Sequence, residues 1–211
     1  MQFDYILDNV QGLQRRSHSL GMVNHPAPLS ITEKEANYFI DFIKKHNLKS
    51  GYEICTGFGI SSVAIGLGMK ETGGTLITID SYLEESVNDS YIYSGLKTVN
   101  SNSDGYRITN ELIKLFGLEN VVLPVIGFSP QDIPNTSPKD IDFVFIDSLH
   151  TPECCLRDFK AIEPYLADRY ALFFHDTGCA VNDEVRDYLK KHGELEINNE
   201  PYYMGQCLKI T

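Results

Sequence analysis

The 211-residue sequence predicts an α/β fold: a seven-stranded, mostly parallel sheet with helices on both faces and a terminal antiparallel hairpin. The first observation is that short apolar segments alternate with helical patterns, as in crossover units of parallel strands. The second is the segment 141–146, whose near-continuous apolarity is typical of a strand buried on both faces. The third is a final pair of strand-like segments joined by a polar turn within 194–210, which predicts the hairpin.

The first helix and the first strand are predicted from a capping motif and from apolar spacing. Ser30 and Glu33 have the spacing of a capping box, in which each side chain bonds the backbone amide of the other residue. The apolar residues that follow recur on one helical face: Ala36, Phe39, Ile40 and Ile43. A short strand at 51–55 comes next, and a glycine turn joins it to an apolar helix at about 61–69.

The remaining elements continue the alternation. Thr151, Pro152 and Glu153 predict a helix start, because they supply a capping side chain, a proline that fits the first turn and an acidic group. The other predicted strands are 75–79, 121–126, 141–146, 170–174, 194–197 and 206–210. The other predicted helices are 109–116 and 181–191.

Two stretches fall outside this alternation. Residues 1–29 are irregular and end near Pro26 and Pro28, which predicts an N-terminal lid or extension. Residues 81–110 are polar and rich in tyrosine, which predicts a cap segment inserted into a domain that spans 30–211. Insertions at a ligand edge often carry specificity, but tyrosines that merely cover the sheet edge are an equally good interpretation.

Charge, hydropathy and cysteine content narrow the class of protein. The net charge of −11 argues against nucleic acid as a partner, because phosphate binding needs clustered lysine and arginine. No apolar run approaches the roughly 18 residues of a membrane-spanning helix, and the N-terminus lacks a secretory pattern. The five cysteines are interpreted as reduced thiols of a cytoplasmic protein. The sequence leaves open whether the chain forms a homo-oligomer.

Acidic and glycine residues follow four of the predicted strands. Ligands of open α/β sheets bind at the carboxyl ends of the strands, so these positions predict a site. The segments are 53–59, Asp80, 147–150 and 175–176. A turn glycine, a helix cap or a core histidine would explain each segment alone. Their combination at four strand ends favours a ligand site.

The same segments resemble the class I S-adenosylmethionine (SAM)-dependent methyltransferases, which have a Rossmann-like fold. The resemblance covers about 30–210 and is greatest to methyltransferase family 24, which includes sugar and small-molecule O-methyltransferases. Its most specific parts are hydrophobic-Asp-x-x-His, at Asp147 and His150, and hydrophobic-His-Asp, at His175 and Asp176. The resemblance implies transfer of a methyl group from SAM to a hydroxyl of a small molecule or sugar.

The resemblance also implies a set of cofactor-binding residues. These are Glu53, Cys55, Thr56, Gly57, Gly59, Asp80, Ser129 and Asp147. Glu53, Gly57 and Gly59 would line the methionine part of SAM. Asp80 would hold the ribose through its hydroxyls, and Ser129 would lie near the adenine. The family usually has glycine where Cys55 stands, so the closest backbone approach differs here.

Methyl transfer to a hydroxyl requires in-line placement and removal of a proton. Asp147 would sit under the amino-acid part of SAM or beside its methyl group. We expect His150 to be the general base, because it lies three residues beyond Asp147 and just before a helix start. His175 is the second choice, since alternation along its strand directs it into the packing layer.

A metal ion would offer another way to activate the hydroxyl. Asp147 and Asp176 are the candidate ligands for Mg²⁺. Metal-dependent relatives have Asp-Asn or Asp-Asp after the fifth strand, whereas this chain has Thr177, a poorer ligand for a hard cation. The sequence therefore favours turnover that tolerates EDTA.

Two other functions are compatible with a nucleotide-binding sheet. An NAD-dependent oxidoreductase would need the motif Gly-x-Gly-x-x-Gly or Gly-x-Gly-x-x-Ala. Gly57 and Gly59 match its first two glycines, but Ser62 stands in place of the last residue of the motif. A non-catalytic module that binds SAM is the second alternative. The presence of Asp80 and of the acidic and histidine residues after the fourth and fifth strands favours a catalyst.

Overall fold

The computed structural model describes residues 31–82, 104–197 and 204–210, and these form the predicted seven-stranded sheet with flanking helices. The strands are β1 (Ser50–Ile54), β2 (Thr75–Asp80), β3 (Val122–Ile126), β4 (Ile141–Ile146), β5 (Leu166–Phe174), β6 (Glu194–Ile197) and β7 (Gly205–Lys209). The helices are α1 (Glu33–His46), α2 (Ile60–Thr72), α3 (Asp104–Leu115), α4 (Ile133–Thr136), α5 (Pro152–Ile162), α6 (Thr177–Ala180) and α7 (Asp183–Leu189). A 3₁₀ turn, Glu163–Tyr165, joins α5 to β5.

The strand order is β3-β2-β1-β4-β5-β7-β6. Strands β1 to β5 pair in parallel, and β7 lies antiparallel between β5 and β6. The order reverses between β1 and β4, which is where an open α/β sheet forms a crevice for a ligand. The predicted parallel sheet with a terminal antiparallel hairpin is therefore confirmed.

Two hydrophobic clusters pack against opposite faces of this sheet. Along β4, Phe143 and Phe145 face the cluster that includes α1, α2 and α3. Val144 and Ile146 face the cluster that includes α5 and α7. This alternation follows from the two-residue period of a strand and confirms helices on both faces.

Phe39 joins α1 to the central strands. Its side chain has no solvent exposure, and its ring lies edge-on to Phe143, Phe145 and Phe173 at centroid distances of 5.7, 5.0 and 5.3 Å. Burial of such a side chain contributes roughly 1.5–3 kcal/mol. Helix α1 is thereby held against β4 and β5, whose carboxyl ends carry candidate site residues.

The cap of α1 lies two residues further along than predicted. Thr32, not Ser30, is the N-cap: its hydroxyl accepts from the Glu35 amide at 3.3 Å, and the Glu35 carboxylate accepts from the Thr32 amide at 2.7 Å. Both candidate pairs have the Ser/Thr-x-x-Glu spacing of a capping box, so spacing alone does not separate them. With Thr32 as cap, Ala36 and Phe39 lie in the core.

Helix α3 begins at Asp104, before the predicted start at residue 109. The sequence of residues 101–105, Ser-Asn-Ser-Asp-Gly, is typical of a turn. Ile108 and Leu112 are nevertheless completely buried in the first cluster, and this packing extends the helix. The predicted cap segment therefore ends within α3. Its residues 83–103, and the predicted lid at 1–29, lie outside the described residues.

The C-terminal half differs from the predictions mainly in its boundaries. Strand β5 begins four residues early, at Leu166, and the predicted helix at 181–191 is shorter. That helix, α7, begins after Asn182, whose side-chain oxygen accepts from the Val185 amide at 3.0 Å. None of the helices in the described ranges is long and apolar enough to cross a membrane.

Candidate active site

The carboxyl ends of β1, β4 and β5 lie side by side, and the ladder of hydrogen bonds continues one residue beyond them. The amide of Asp147 donates to the last carbonyl of β1 at 3.1 Å, and the amide of His175 donates to the last carbonyl of β4 at 3.0 Å. Cys55 bonds a carbonyl of β2 in the same way at 2.9 Å. The first residue after each strand is thus fixed by the sheet itself.

The turn between β1 and α2 depends on left-handed backbone conformations. Cys55, Gly57 and Gly59 have φ values of 78°, 55° and 82°. Glycine adopts these values without a steric penalty, whereas a side chain at Cys55 is strained. A Cβ atom at Gly59 would also lie 3.0 Å from the Thr109 side chain, so packing as well as backbone conformation favours glycine there. The left-handed backbone at Cys55 is therefore a conformation that glycine would adopt with less strain.

Asp80, at the end of β2, is fixed by two backbone amides. The amide of Gly57 donates to one carboxylate oxygen at 2.8 Å, and the amide of Tyr82 donates to the other at 2.7 Å. Burial raises the pKa of Asp80, and these hydrogen bonds partly offset the shift. A carboxylate has about four acceptor sites, and Asp80 also lies within reach of the Cys55 thiol and the Thr56 amide, so a ribose hydroxyl would share it with these groups.

Glu53 and Thr56 are buried beneath this turn. The Thr56 hydroxyl lies 2.5 Å from that of Thr78, so its side chain supports the turn, and a ligand would meet its backbone. Glu53 accepts a hydrogen bond from Ser62, and its other oxygen has no partner among the described residues. Burial raises the pKa of Glu53 to about 7, although neighbouring hydroxyl groups lower it. A cationic ligand group would satisfy the unpaired oxygen.

Two histidines and two aspartates converge after β4 and β5. The Nε2 atom of His150 lies 3.1 Å from Asp176 and 3.4 Å from Asp147. The Nδ1 atom of His175 lies 3.3 Å from Asp147 and 3.5 Å from Asp176. The structure thus brings together every residue that the sequence predicted to act in catalysis or metal binding.

The two histidines differ in accessibility. The His150 side chain is 49% exposed, and its hydrogen bond to Asp147 raises its pKa above the ordinary value, with burial opposing the shift. The His175 side chain is only 12% exposed. Burial lowers the pKa of His175, but hydrogen bonds to three carboxylates more than offset this and raise it well above its usual range. The three carboxylates thus favour the protonated form of His175, whereas His150 is the ring that an incoming molecule can reach.

Glu35 of α1 is the third carboxylate, and the sequence reasoning missed it. One of its oxygens lies 3.5 Å from Nε2 of His175, while the other completes the capping box with Thr32. Burial would raise the pKa of Glu35, but the hydrogen bonds from His175 and Thr32 lower it below its ordinary value. The only sequence signal was its place three residues after a threonine, which marks a cap and not a site.

Three of these residues have the arrangement of metal ligands. Asp147, His175 and Asp176 each offer one ligand atom, and the three atoms lie within 4.8 Å of one another. His175 would bind through Nδ1, because Nε2 faces Glu35, and metal-bound histidines usually donate their second N–H to such a carboxylate. His175, and not Thr177, therefore supplies the third ligand of this candidate metal site. Thr177 is almost completely buried, and its hydroxyl has no partner among the described residues.

The donor set also bears on the kind of cation. Mg²⁺ prefers an all-oxygen shell, whereas a site with an imidazole and two carboxylates suits Mn²⁺, Fe²⁺, Co²⁺ or Zn²⁺ better. The residues present thus fit a divalent transition metal better than Mg²⁺, the ion for which the sequence offered Asp147 and Asp176 as candidate ligands.

Ser129, in the loop after β3, is bonded to protein. Its hydroxyl donates to Asp158 of α5 at 2.5 Å. This hydroxyl already has a partner. If Ser129 lies near the adenine, as the sequence predicts, its backbone and not its side chain would make the contact.

Comparison with models of known protein families shows which family the chain belongs to. A family model described as a methyltransferase domain matches residues 52–177, which is more than half of the chain and includes all the strand ends described above. The chain belongs to this methyltransferase family. No curated protein matched the methyltransferase in a sequence comparison.

Solved structures of methyltransferases share the fold of this methyltransferase at low sequence identity. An O-methyltransferase from Bacillus cereus in complex with SAH is 13% identical (TM-score 0.65; 98% of this chain and 90% of that chain covered). TomG from Streptomyces achromogenes, in complex with SAM, is 14% identical (TM-score 0.65; 98% and 90% covered). SAH-bound PaMTH1 from Podospora anserina is 15% identical (TM-score 0.64; 98% and 88% covered). The family match thus makes the chain a methyltransferase, and these SAM-bound and SAH-bound neighbours share its fold.

Proposed function

We propose that this methyltransferase transfers the methyl group of SAM to a hydroxyl oxygen of a small molecule or sugar. The observation that carries the proposal is the cluster of Asp147, His150, His175 and Asp176, which lies next to the glycine turn and offers proton-accepting groups. SAM-bound and SAH-bound O-methyltransferases with the same fold support it.

Binding of the cofactor is assigned to the turn and to Asp80. The Asp80 carboxylate would accept the ribose hydroxyls, and the open backbone at Gly57 would approach the methionine part. Glu53 is buried two residues before Cys55, and its unpaired oxygen would attract the cationic end of a cofactor that reaches it. These contacts hold the sulfonium in place, since methyl transfer depends mainly on in-line placement of the reacting atoms.

His150 is assigned the role of general base. It is half exposed at the mouth of the cluster, and its Nε2 atom faces the two aspartates, which would stabilise the imidazolium after it accepts the hydroxyl proton. His175 is assigned a positioning role, because both of its ring nitrogens face carboxylates. A divalent cation at Asp147, His175 and Asp176 would lower the pKa of the acceptor hydroxyl as an addition to this base, and turnover without the cation is still expected.

A reducing, cytoplasmic location is part of the same proposal. Cys55, Cys154, Cys155 and Cys207 are free thiols in the described structure, as expected for a protein of a reducing compartment.

Calorimetry with SAH and NADH tests the cofactor assignment without knowledge of the acceptor. We expect SAH to bind the wild type and NADH not to bind. Asp80→Asn should raise the Kd for SAH about 10-fold or more, because the charge-assisted hydrogen bonds to the ribose are weakened. Asp142→Asn is a matched control, since Asp142 accepts backbone amides at the opposite end of the sheet. Binding of NADH in place of SAH would contradict the proposal.

The roles of the two histidines are separated by substitution, once an acceptor has been found in a panel of hydroxylated compounds. His150→Ala should lower kcat by about 10²–10⁴ and leave the affinity for SAH nearly unchanged. His175→Ala should mainly lower stability, because it leaves Glu35 buried without its partner. Near-normal kcat in His150→Ala, together with loss of turnover in a folded His175→Ala variant, would reverse the two roles.

A further inference from the structure

Asp158 of α5 connects the loops that follow β3 and β4. It has no solvent exposure, and each of its carboxylate oxygens accepts one hydroxyl group. Ser129, after β3, donates to Oδ1 at 2.5 Å, and Ser148, after β4, donates to Oδ2 at 2.5 Å. Three segments that are separate in sequence therefore meet at one buried side chain.

A buried carboxylate at this place is unfavourable unless its hydrogen bonds are satisfied. Burial raises the pKa of Asp158, and the two serine hydroxyls and Arg157 lower it. The neighbours of Asp158 on the same helix face, Cys155, Phe159 and Ile162, are apolar and buried, so an apolar residue would fit the general pattern of the face. The acid instead joins α5 to two loops through short, charge-assisted hydrogen bonds.

The two loops bear residues with different parts in the proposed reaction. Ser148 directly follows Asp147 and stands two residues before His150. Ser129 stands two residues after Gly127, whose amide donates to the backbone carbonyl of Asp80 at 2.9 Å. One oxygen of Asp158 therefore restrains the adenosine side of the site, and the other restrains the side where the methyl group would be transferred.

We propose that Asp158 is a positioning residue that fixes the loop after β3 and the loop after β4 in the arrangement that bound SAM requires. The inference rests on the proposed function, because it assigns SAM to this site. It assigns Ser129 and Ser148 as the two contacts through which Asp158 acts.

Calorimetric titration with SAH tests this role on Asp158→Ala, Asp158→Asn, Ser129→Ala and Ser148→Ala, with Asp142→Asn as the matched control. Asp158→Ala should raise the Kd for SAH about 10-fold or more, because both restraints are lost. Asp158→Asn should rescue part of the affinity, since its amide can bond both serines. Ser129→Ala should raise the Kd alone but add little in the Asp158→Ala background, because the two residues share one interaction.

Hydrogen exchange of the unliganded variants separates a local effect on the two loops from a loss of stability that affects the whole fold. Loss of Asp158 should reduce the protection of residues 127–132 and 147–151, whereas the control should not. If Asp158→Ala does not fold, the two serine variants test the two halves of the contact separately.

The outcomes distinguish this inference from the proposed function. A wild type that binds no SAH would overturn the proposed function and, with it, the role of Asp158 toward SAM. If the wild type binds SAH and the folded Asp158 and serine variants bind it with the same Kd, the positioning role alone is overturned. In that second case a lowered melting temperature would assign Asp158 to stability only.

Discussion

At the scale of single residues, the site combines a strained cysteine with a buried acid. Cys55 stands at a left-handed position of the turn, and Glu53 lies beneath that turn with one carboxylate oxygen unpaired among the described residues. The sequence identified both positions from their place at the end of the first strand. It could not give the φ angle of Cys55 or the burial of Glu53, because both depend on how the turn packs.

The strain at Cys55 predicts an order of stability for two substitutions. Cys55→Ala removes the thiol but keeps a side chain at φ 78°, whereas Cys55→Gly also removes the steric conflict. The glycine variant should be more stable than the alanine variant by about 0.5–1 kcal/mol, because the relief of strain exceeds the entropic cost of glycine. Urea denaturation of the two variants measures this difference. Equal stability, or a more stable alanine variant, would show that the turn is not strained at Cys55.

Glu53 predicts a pH dependence of stability. Its pKa is about 7 in the fold and about 4.5 as the ordinary value, so the folded chain binds an extra proton between these two values. A group with a raised pKa contributes stability that is present below its ordinary pKa and is lost as the pH rises through the folded pKa. The loss should be on the order of 3 kcal/mol over this window.

Denaturation of the wild type and of Glu53→Gln as a function of pH isolates this contribution. Glutamine mimics the protonated acid, so the variant should lack this part of the pH dependence. The stability of the wild type relative to Glu53→Gln should fall as the pH rises from about 4.5 to 7. Parallel curves would show that Glu53 is ionised in the fold at the lower pH.

At the scale of elements, α1 links helix capping to the active site. Glu35 uses one oxygen for the capping box and directs the other toward His175. The sequence predicted the helix from apolar spacing but placed the cap at Ser30, because Ser30 and Glu33 have the same spacing as Thr32 and Glu35. The contact with His175 could not be predicted, since it joins elements from opposite ends of the chain.

The capping box predicts the effect of two substitutions at Thr32. Thr32→Ala should lower the free energy of unfolding by about 1 kcal/mol, because the Glu35 amide loses its side-chain acceptor. Thr32→Ser keeps the hydroxyl and should remain close to the wild type. Thermal denaturation of both variants checks the prediction. An equal loss in both variants would mean that the methyl group, and not the cap, is responsible.

The other elements show where local signals suffice and where packing overrides them. Helix α5 begins as predicted, with the Thr151 hydroxyl accepting from the Cys154 amide at 3.3 Å. Helix α3 begins earlier than its turn-like sequence suggests, because burial of its apolar side chains outweighs propensity. Asp158 was not identified from the sequence, because its two serine partners depend on the tertiary fold.

At the scale of the whole molecule, the sheet brings distant residues to one edge. Parallel pairing places the first residues after β1, β4 and β5 side by side, so a strand-end motif in the sequence becomes a cluster in space. The mostly parallel sheet and the residues at its strand ends were therefore predictable from the sequence, whereas the order of the strands comes from the structure. The distances among Asp147, His150, His175 and Asp176 were not, since they depend on side-chain conformations.

The cluster also predicts a preference among metal ions. Titration calorimetry should show tighter binding of Mn²⁺ or Co²⁺ than of Mg²⁺, because an imidazole joins the two carboxylates in the donor set. His175→Ala should reduce this difference, while Asp142→Asn should leave it unchanged. Binding of Mg²⁺ alone, or equal binding in His175→Ala, would contradict the assignment. The tolerance to EDTA expected from Thr177 is a separate prediction, which the turnover assay tests directly.

The most direct test of the central claim is the transfer of an isotopically labelled methyl group from SAM to a panel of hydroxylated small molecules and sugars. We predict a labelled O-methyl product and a matching amount of SAH with the wild type, and a much smaller amount of both with His150→Ala. Tight binding of SAM without labelled product from any acceptor would indicate a non-catalytic SAM-binding module. A labelled product that forms equally well with His150→Ala would contradict the proposed base.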